Sequence, residues 1–194
     1  MNTVKFYDSN AKDFFESTYA VDMLDVYKKF GTYLSPHSKI LDAGCGSGRD
    51  TKYFLDKGHD VLAIDASSEM VKLACTLTNI DVKHMTFQEL KYIEEFDAIW
   101  SCASLLHIKK SEIPLVFSKF IKALKVSGVW YMSFKVGESE REKDGRLFND
   151  YNEESLRDIL DSYDALSVCE IWLTEDRRED RDDKWINAIV KKVV

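Results

Sequence analysis

The run Lys39-Ile40-Leu41-Asp42-Ala43-Gly44-Cys45-Gly46-Ser47-Gly48-Arg49-Asp50 sets a carboxylate just ahead of three glycines at alternating positions. Glycines so spaced let the backbone take positive φ and let a ligand approach with no Cβ in the way. The run therefore reads as a strand-to-helix turn built to touch a ligand. A dinucleotide site would read G-x-G-x-x-G and rest a pyrophosphate on the helix that follows. Here the third glycine comes one residue early and Arg49 takes the sixth position. Asp42 at the lip of such a loop would repel a pyrophosphate and attract a cation. The chemistry indicated is that of a cationic, phosphate-free cofactor. A neutral ribose diol needs an acceptor at the end of the second strand, about twenty residues on. Asp65, which closes His59-Asp60-Val61-Leu62-Ala63-Ile64, stands there.

With these two motifs the chain resembles the class I S-adenosylmethionine-dependent methyltransferases, whose first motif is an acidic residue followed by G-x-G-x-G. S-adenosylmethionine carries an α-ammonium, a sulfonium and a ribose diol, and no phosphate. The resemblance runs from about Lys39 to Phe134. It is strongest to small bacterial cytosolic enzymes, through Gly44 to Asp50, Ser104-Leu105-Leu106-His107 and Ser133-Phe134-Lys135. It implies an α/β, Rossmann-like three-layer sandwich with a mostly parallel seven-stranded sheet and an antiparallel C-terminal edge hairpin. It also implies S-adenosylmethionine as cofactor and S-adenosylhomocysteine as product.

Ligands of open α/β sheets sit beyond the carboxyl ends of the strands. The cofactor is then expected on Asp42, Ala43, Gly44, Cys45, Gly46 and Gly48, with Asp42 and the Gly44 backbone holding the methionine portion and Arg49 on its carboxylate. Asp65 takes the ribose, Ala66 and Met70 face the adenine, and Phe87 and Gln88 meet its edge. Cys102 and Ala103 follow the fourth strand. Met70 and Phe87 serve equally well as core. The methyl acceptor is expected among Tyr7, Tyr19, Ser104, His107, Lys135, Arg146 and Arg178, with Tyr151 and Trp172 as further aromatic surfaces. Arginine forks match carboxylates, which suggests a small acidic or polar substrate. His107 is the one histidine at a strand end beside the expected methyl group; it is a candidate catalytic base, or a hydrogen-bonded loop histidine. Methyl transfer rests mainly on positioning, and a base is needed only where the acceptor holds its proton at neutral pH. Cys102 has no basic neighbour in sequence to activate it. Ser101-Cys102-Ala103-Ser104 also lacks the N/D-P-P-Y/F pattern of enzymes that methylate exocyclic amines of adenine or glutamine amides.

Alternating strand and helix patterns must position these residues, and they argue for a parallel sheet covered on both faces. A helix over 49–57 stops at Gly58. Ser67 caps the next, with an apolar stripe of Met70, Val71, Leu73, Ala74 and Leu77. Strands are expected over 81–85, 96–102 and 128–134. A helix capped by Ser111 carries Ile113, Val116, Phe117, Phe120, Ile121 and Leu124 inward. A polar loop then spans 135–150, a helix starts at Asn152, and strands over 166–174 and 185–193 flank the charge run 175–183, which reads as a solvated hairpin connection. Ahead of Lys39 lie two helical patterns, one with Phe14, Phe15 and Tyr19 and one with Met23, Leu24, Tyr27 and Phe30; both are expected to cover the cofactor and substrate.

A chain of 194 residues suits one domain over 1–194. The net charge of −7 disfavours a nucleic-acid partner, because such affinity rests on Lys and Arg neutralising phosphates. Cys45, Cys75, Cys102 and Cys169 form no C-x-x-C pair, so no zinc site or disulfide framework is indicated and no metal is expected. The N-terminus lacks an apolar leader, and no apolar run reaches the ~20 residues of a membrane span. A cytoplasmic monomer or homodimer acting on a small molecule is the expectation. The alternatives are a module that binds the cofactor without turnover, a methyltransferase of RNA or protein, and a nucleotide-dependent oxidoreductase on a related sheet.

Overall fold

The computed structural model describes residues 3–178 and 181–194. In chain order the elements are α1 (Thr3–Thr18), α2 (Leu24–Gly31), β1 (Lys39–Ala43), α3 (Arg49–Asp56), β2 (Asp60–Asp65), α4 (Ser68–Thr78), β3 (Lys83–His84), β4 (Phe96–Ser101), α5 (Ile113–Ala123), β5 (Leu124–Lys135), β6 (Glu140–Lys143), β7 (Arg146–Asn149), α6 (Glu153–Asp161), β8 (Leu166–Glu175) and β9 (Lys184–Lys192). Seven strands form one sheet in the order β3-β2-β1-β4-β5-β9-β8, and β6 and β7 pair separately. The β1–β5 pairings are parallel, while β9 runs antiparallel to both β5 and β8. The mostly parallel sheet and its antiparallel edge hairpin are as expected.

Strand alternation sends neighbouring side chains to opposite faces. Leu41, Ile99, Trp130 and Met132 meet Val116, Phe117 and Phe120 of α5 on one face. Ile40, Ala98, Trp100 and Tyr131 meet Val26, Tyr27 and Phe30 of α2 and Phe54 of α3 on the other. Burial on both faces is what a parallel sheet requires, and it brings the strand carboxyl ends to one rim.

Several expectations need correcting. The third strand is only Lys83–His84. Ser111 does not cap α5; a 3-10 turn over Lys110–Glu112 leads in, and Pro114 sits in the first turn of the helix, where its missing N–H costs nothing. Leu124 leaves the helix and begins β5, whose pairing with β4 shifts register between Phe96 and Ala98. The polar loop contains the β6–β7 hairpin, turned by Asp144 and Gly145 at φ 52 and 77. That Asp-Gly pair is the signature of a turn whose twist suits a hairpin. α2 packs on the sheet through its apolar face, and its Val26 also lines the cleft that α1 roofs. In the charge run, the Asp176 N–H reaches the Asp183 carbonyl at 2.8 Å, joining β8 to β9. The expectations for Met1, Asn2, Glu179 and Asp180 lie outside the described residues. Among the described residues no helix is long and apolar enough to cross a membrane.

Candidate active site

A cleft of about 630 Å³ opens at the carboxyl ends of β1, β2, β4 and β5, within the usual range for small-molecule sites. Its floor is the glycine loop, with Gly44, Gly46 and Gly48 at φ 79, 53 and 82. A Cβ on Gly44 would lie 2.5 Å from the Ser104 Cβ, so the β4 loop can press against this turn only because the residue is glycine. The Ser104 hydroxyl donates to the Ala43 carbonyl at 2.7 Å and locks the two loops together.

Asp65 lines the cleft and holds the loop from the side. Its oxygens accept the Gly46 N–H at 2.9 Å and the Ser67 N–H at 2.8 Å. Burial raises its pKa, and those two N–H groups oppose the rise. Each carboxylate oxygen keeps room for a second hydrogen bond, so a diol can still be accepted. Met70 and Phe87 supply apolar walls beside it.

Asp50, in the first turn of α3, is the hub of a buried network. It accepts the Trp100 Nε1–H at 2.8 Å, the Arg49 Nε–H at 2.6 Å and an Arg49 Nη2–H at 3.0 Å, and the Tyr27 hydroxyl also donates to it. Burial works against its ionisation, yet the Arg49 charge and these donors hold its pKa below the ordinary value. Asp42 lies behind the loop, 1% exposed, with the Thr51 hydroxyl donating to it. Burial, and then repulsion from Asp50, raise its pKa.

At the other end, the Tyr7 hydroxyl lies 2.7 Å from His107 Nε2, and His107 Nδ1 lies 2.6 Å from the Leu147 carbonyl. A carbonyl only accepts, so Nδ1 carries the proton and Nε2 accepts from Tyr7. Burial, with the Arg146 and Lys135 charges, pulls the His107 pKa down to about 4 against the Leu147 bond. Burial pushes Tyr7 up to about 12 against the opposing pull of the Arg146 charge. At neutral pH both groups are uncharged. Burial likewise lifts the Cys102 thiol to about 12, which leaves it a packing residue. Ala103 takes φ 50 and donates its N–H to the Ser133 hydroxyl at 2.8 Å.

Polar side chains of α1 tie it down as a roof over this cleft. Besides Tyr7, Asp8 accepts the Ser67 hydroxyl at 2.7 Å, and the Thr3 hydroxyl accepts the Leu147 N–H at 3.0 Å.

The family profile described as a methyltransferase domain matches residues 40–128. That stretch, just under half of the chain, takes in the glycine loop, Asp65 and β4, and over it the chain is similar to a methyltransferase domain. An uncharacterized methyltransferase of Staphylococcus carnosus is 28% identical over 123 residues, covering 63% of this chain and 59% of that one. Phosphoethanolamine N-methyltransferase 3 of Arabidopsis thaliana is 34% identical over 117 residues, covering 56% of this chain and 21% of that one. The chain thus spans well under two thirds of either relative. Among solved structures, Burkholderia thailandensis 1,6-didemethyltoxoflavin-N1-methyltransferase, with its substrate and S-adenosylhomocysteine bound, superposes with a TM-score of 0.82 at 20% identity, over 98% of this chain and 87% of that one. The [4+2]-cyclase SpnF superposes at 0.77 and 15% identity, over 100% and 97%.

In this methyltransferase fold the cleft gathers most of the residues nominated from sequence: Gly44, Cys45, Gly46, Arg49, Asp65, Ala66, Met70, Phe87, Gln88, Cys102, Ala103 and Ser104 around the glycine loop, and Tyr7, His107, Lys135, Arg146 and Arg178 beyond them. Four lie elsewhere. Asp42 ties β1 to α3, and Ala43 is fully buried in β1. Gly48 starts α3 where a Cβ would press on Ala74 at 3.1 Å, so it serves helix packing. Tyr19 is 47% exposed and stacks on Phe15. Neither Tyr151 nor Trp172 lines the cleft. Asp50, Asp8 and Thr3 were not nominated. Asp50 was signalled by its place one residue past the loop, whereas nothing local marks Asp8 or Thr3. Among the described residues no His, Cys, Asp and Glu group could hold a metal.

Proposed function

We propose that the protein methylates a small molecule, with S-adenosylmethionine lying along the glycine loop and Asp65 and the acceptor lying beside Tyr7 and His107. When bound, the cofactor supplies a methyl group already activated on a sulfonium. The observation that carries the reading is the Tyr7–His107–Leu147 chain inside a cleft that also holds the glycine loop and Asp65. Because the Tyr7 proton is committed to Nε2, its oxygen offers lone pairs to the cleft and favours an acceptor with an N–H or O–H to donate. A base with a pKa near 4 does not strip an amine or alcohol in advance. It receives a proton through Tyr7 as the methyl group arrives and the acceptor's own proton becomes strongly acidic. The Nδ1–H stays on the Leu147 carbonyl and keeps the ring oriented throughout.

A small acceptor is favoured over a polymer because α1 roofs the cleft, and over nucleic acid because the chain is acidic. The Arabidopsis and Burkholderia relatives are named for small acceptors, which supports the same reading. The SpnF likeness is a reminder that a fold alone does not set the reaction. Calorimetry with S-adenosylmethionine and S-adenosylhomocysteine, followed by mass spectrometry of S-adenosylhomocysteine formed against a metabolite panel, is the test. No binding of either at high micromolar concentration overturns the proposal. Tight binding with no transfer across the panel favours a non-catalytic cofactor-binding module instead.

A further inference from the structure

Arg146 opens β7 inside the cleft, with its side chain 18% exposed. Its guanidinium lies over the Phe6 ring at 4.4 Å and the Phe148 ring at 5.1 Å. Asp144 stands 4.0 Å away with its own side chain 64% exposed, and so long and wet an ion pair holds the arginine weakly. Arg146 Nε is buried and has no acceptor among the described residues.

The neighbouring cations are committed. Lys135 reaches Asp183 at 2.5 Å, and Arg178 grips Asp176 through bonds of 2.9 and 2.6 Å. All three nonetheless act on one place, since Arg146 and Arg178 bear on Tyr7 and Arg146 and Lys135 bear on His107. A guanidinium carries five N–H donors in a fixed fork. Flanking rings keep this one partly dry and restrict its orientation, which strengthens whatever it binds.

We infer that Arg146 docks an anionic substituent of the substrate, a carboxylate or a phosphate, between the Phe6 and Phe148 rings and beside Tyr7. The inference rests on the cleft being the methyltransferase site proposed above. A neutral substrate of the same shape leaves the buried Nε–H unpaired, so Arg146 acts as a specificity determinant.

The test is calorimetric titration of the full chain, with and without saturating S-adenosylhomocysteine, in low-chloride buffer. Benzoate and phenyl phosphate are the anionic probes, and benzamide is the neutral isostere of benzoate. Either anion should bind at least about tenfold more tightly than benzamide, as expected for a charge-assisted bond. Whichever anion is tighter identifies the carboxylate or phosphate source. Arg146→Gln should erase the difference, while Arg146→Lys should keep part of it. Equal binding of benzoate and benzamide overturns the inference, as does no binding by either anion at millimolar concentration, or a difference that survives in Arg146→Gln. The wild-type comparison needs no variant to fold. Failure of the wild-type chain to bind S-adenosylhomocysteine would instead count against the cofactor reading, and the anion titration without it is read separately.

Discussion

Replacing Asp65 by alanine isolates the cofactor half of the site. Two ribose hydroxyls donating to a carboxylate contribute about 1.5–3 kcal/mol each, because the acceptor is charged. At the lower end the pair is worth about 3 kcal/mol, or about 150-fold in affinity. The same substitution strips the Gly46 and Ser67 N–H groups of their acceptor, which now lies at 2.9 and 2.8 Å. It also removes a carboxylate whose ionisation burial disfavours. A raised folded pKa means that stability present below the unfolded value, near 3.9, is lost as the pH rises through the folded value. Asp65 ionised at neutral pH is therefore a cost to folding, and its removal offsets the two orphaned donors. The ligand-free melting temperature should shift by no more than about 4 °C, while calorimetry should show S-adenosylhomocysteine affinity falling about 100-fold. Asp65→Asn, with one acceptor oxygen for two backbone donors, should fall between. Affinity within about threefold of wild type in Asp65→Ala would refute the assignment.

Tyr7→Phe should lower kcat/KM by about tenfold or more, the scale of a lost hydrogen bond to the reacting acceptor, with S-adenosylhomocysteine affinity nearly unchanged by calorimetry. His107, neutral when folded and near 6.5 when unfolded, contributes stability above pH 6.5 that is lost as the pH falls toward 4. Urea unfolding at about pH 7.5 and pH 5 should show wild type losing about 2 kcal/mol more than His107→Gln. Asp50→Ala leaves the Arg49 charge and the Trp100 and Tyr27 donors unpaired, and should cost about 3–5 kcal/mol. Adding Arg49→Met should recover part of that loss in the same unfolding assay, and a double variant weaker than the single one would contradict the network. Asp50 has a lowered folded pKa, so its share of stability is present above the unfolded value and lost as the pH falls through the folded one. Gly44→Ala should cost about 2–5 kcal/mol through strained φ and the clash with Ser104, whereas Gly46→Ala, whose Cβ would meet Phe14 at an ordinary contact distance of 3.7 Å, should cost about 1–2 kcal/mol by thermal melting.

What was legible in the sequence was what is local. The glycine loop, Asp65, the Ser67 cap, the helix start at Asn152 and the apolar strands each carry their signal within a few residues. The β6–β7 hairpin was signalled just as locally, by Asp144-Gly145, but its charged strands lack the apolar alternation that marks a half-buried strand. Asp42 looked like a ligand contact because strand periodicity does not say how far the loop rises above the strand end. Thr51, nine positions on, takes its carboxylate instead. Tyr7, His107 and Arg146 were each nominated singly. Their convergence was not legible, because the Tyr7–His107 contact spans 100 positions and exists only once α1 crosses the sheet rim.

That crossing also explains how one acidic chain builds a cleft with two opposite ends. Asp50 and Asp65 come from the segments around β1 and β2, while Lys135, Arg146 and Arg178 come from β5 and the chain that follows. Sheet order places β1 and β2 on one side of the rim and β5 and β9 on the other. The two charge sets are therefore separated by β4 before any side chain is chosen. Tyr7 sits at the seam: beyond the effect of burial, Asp65 raises its pKa while Arg146 and Arg178 lower it. Asp50 is matched by Arg49, Lys135 by Asp183 and Arg178 by Asp176, so the division rests on Asp65 at one end and on Arg146, 4.0 Å from an exposed Asp144, at the other. Under the function proposed above, the first favours a sulfonium and the second an anionic substrate. The net charge of the chain, −7, is a property of its surface and does not describe this division.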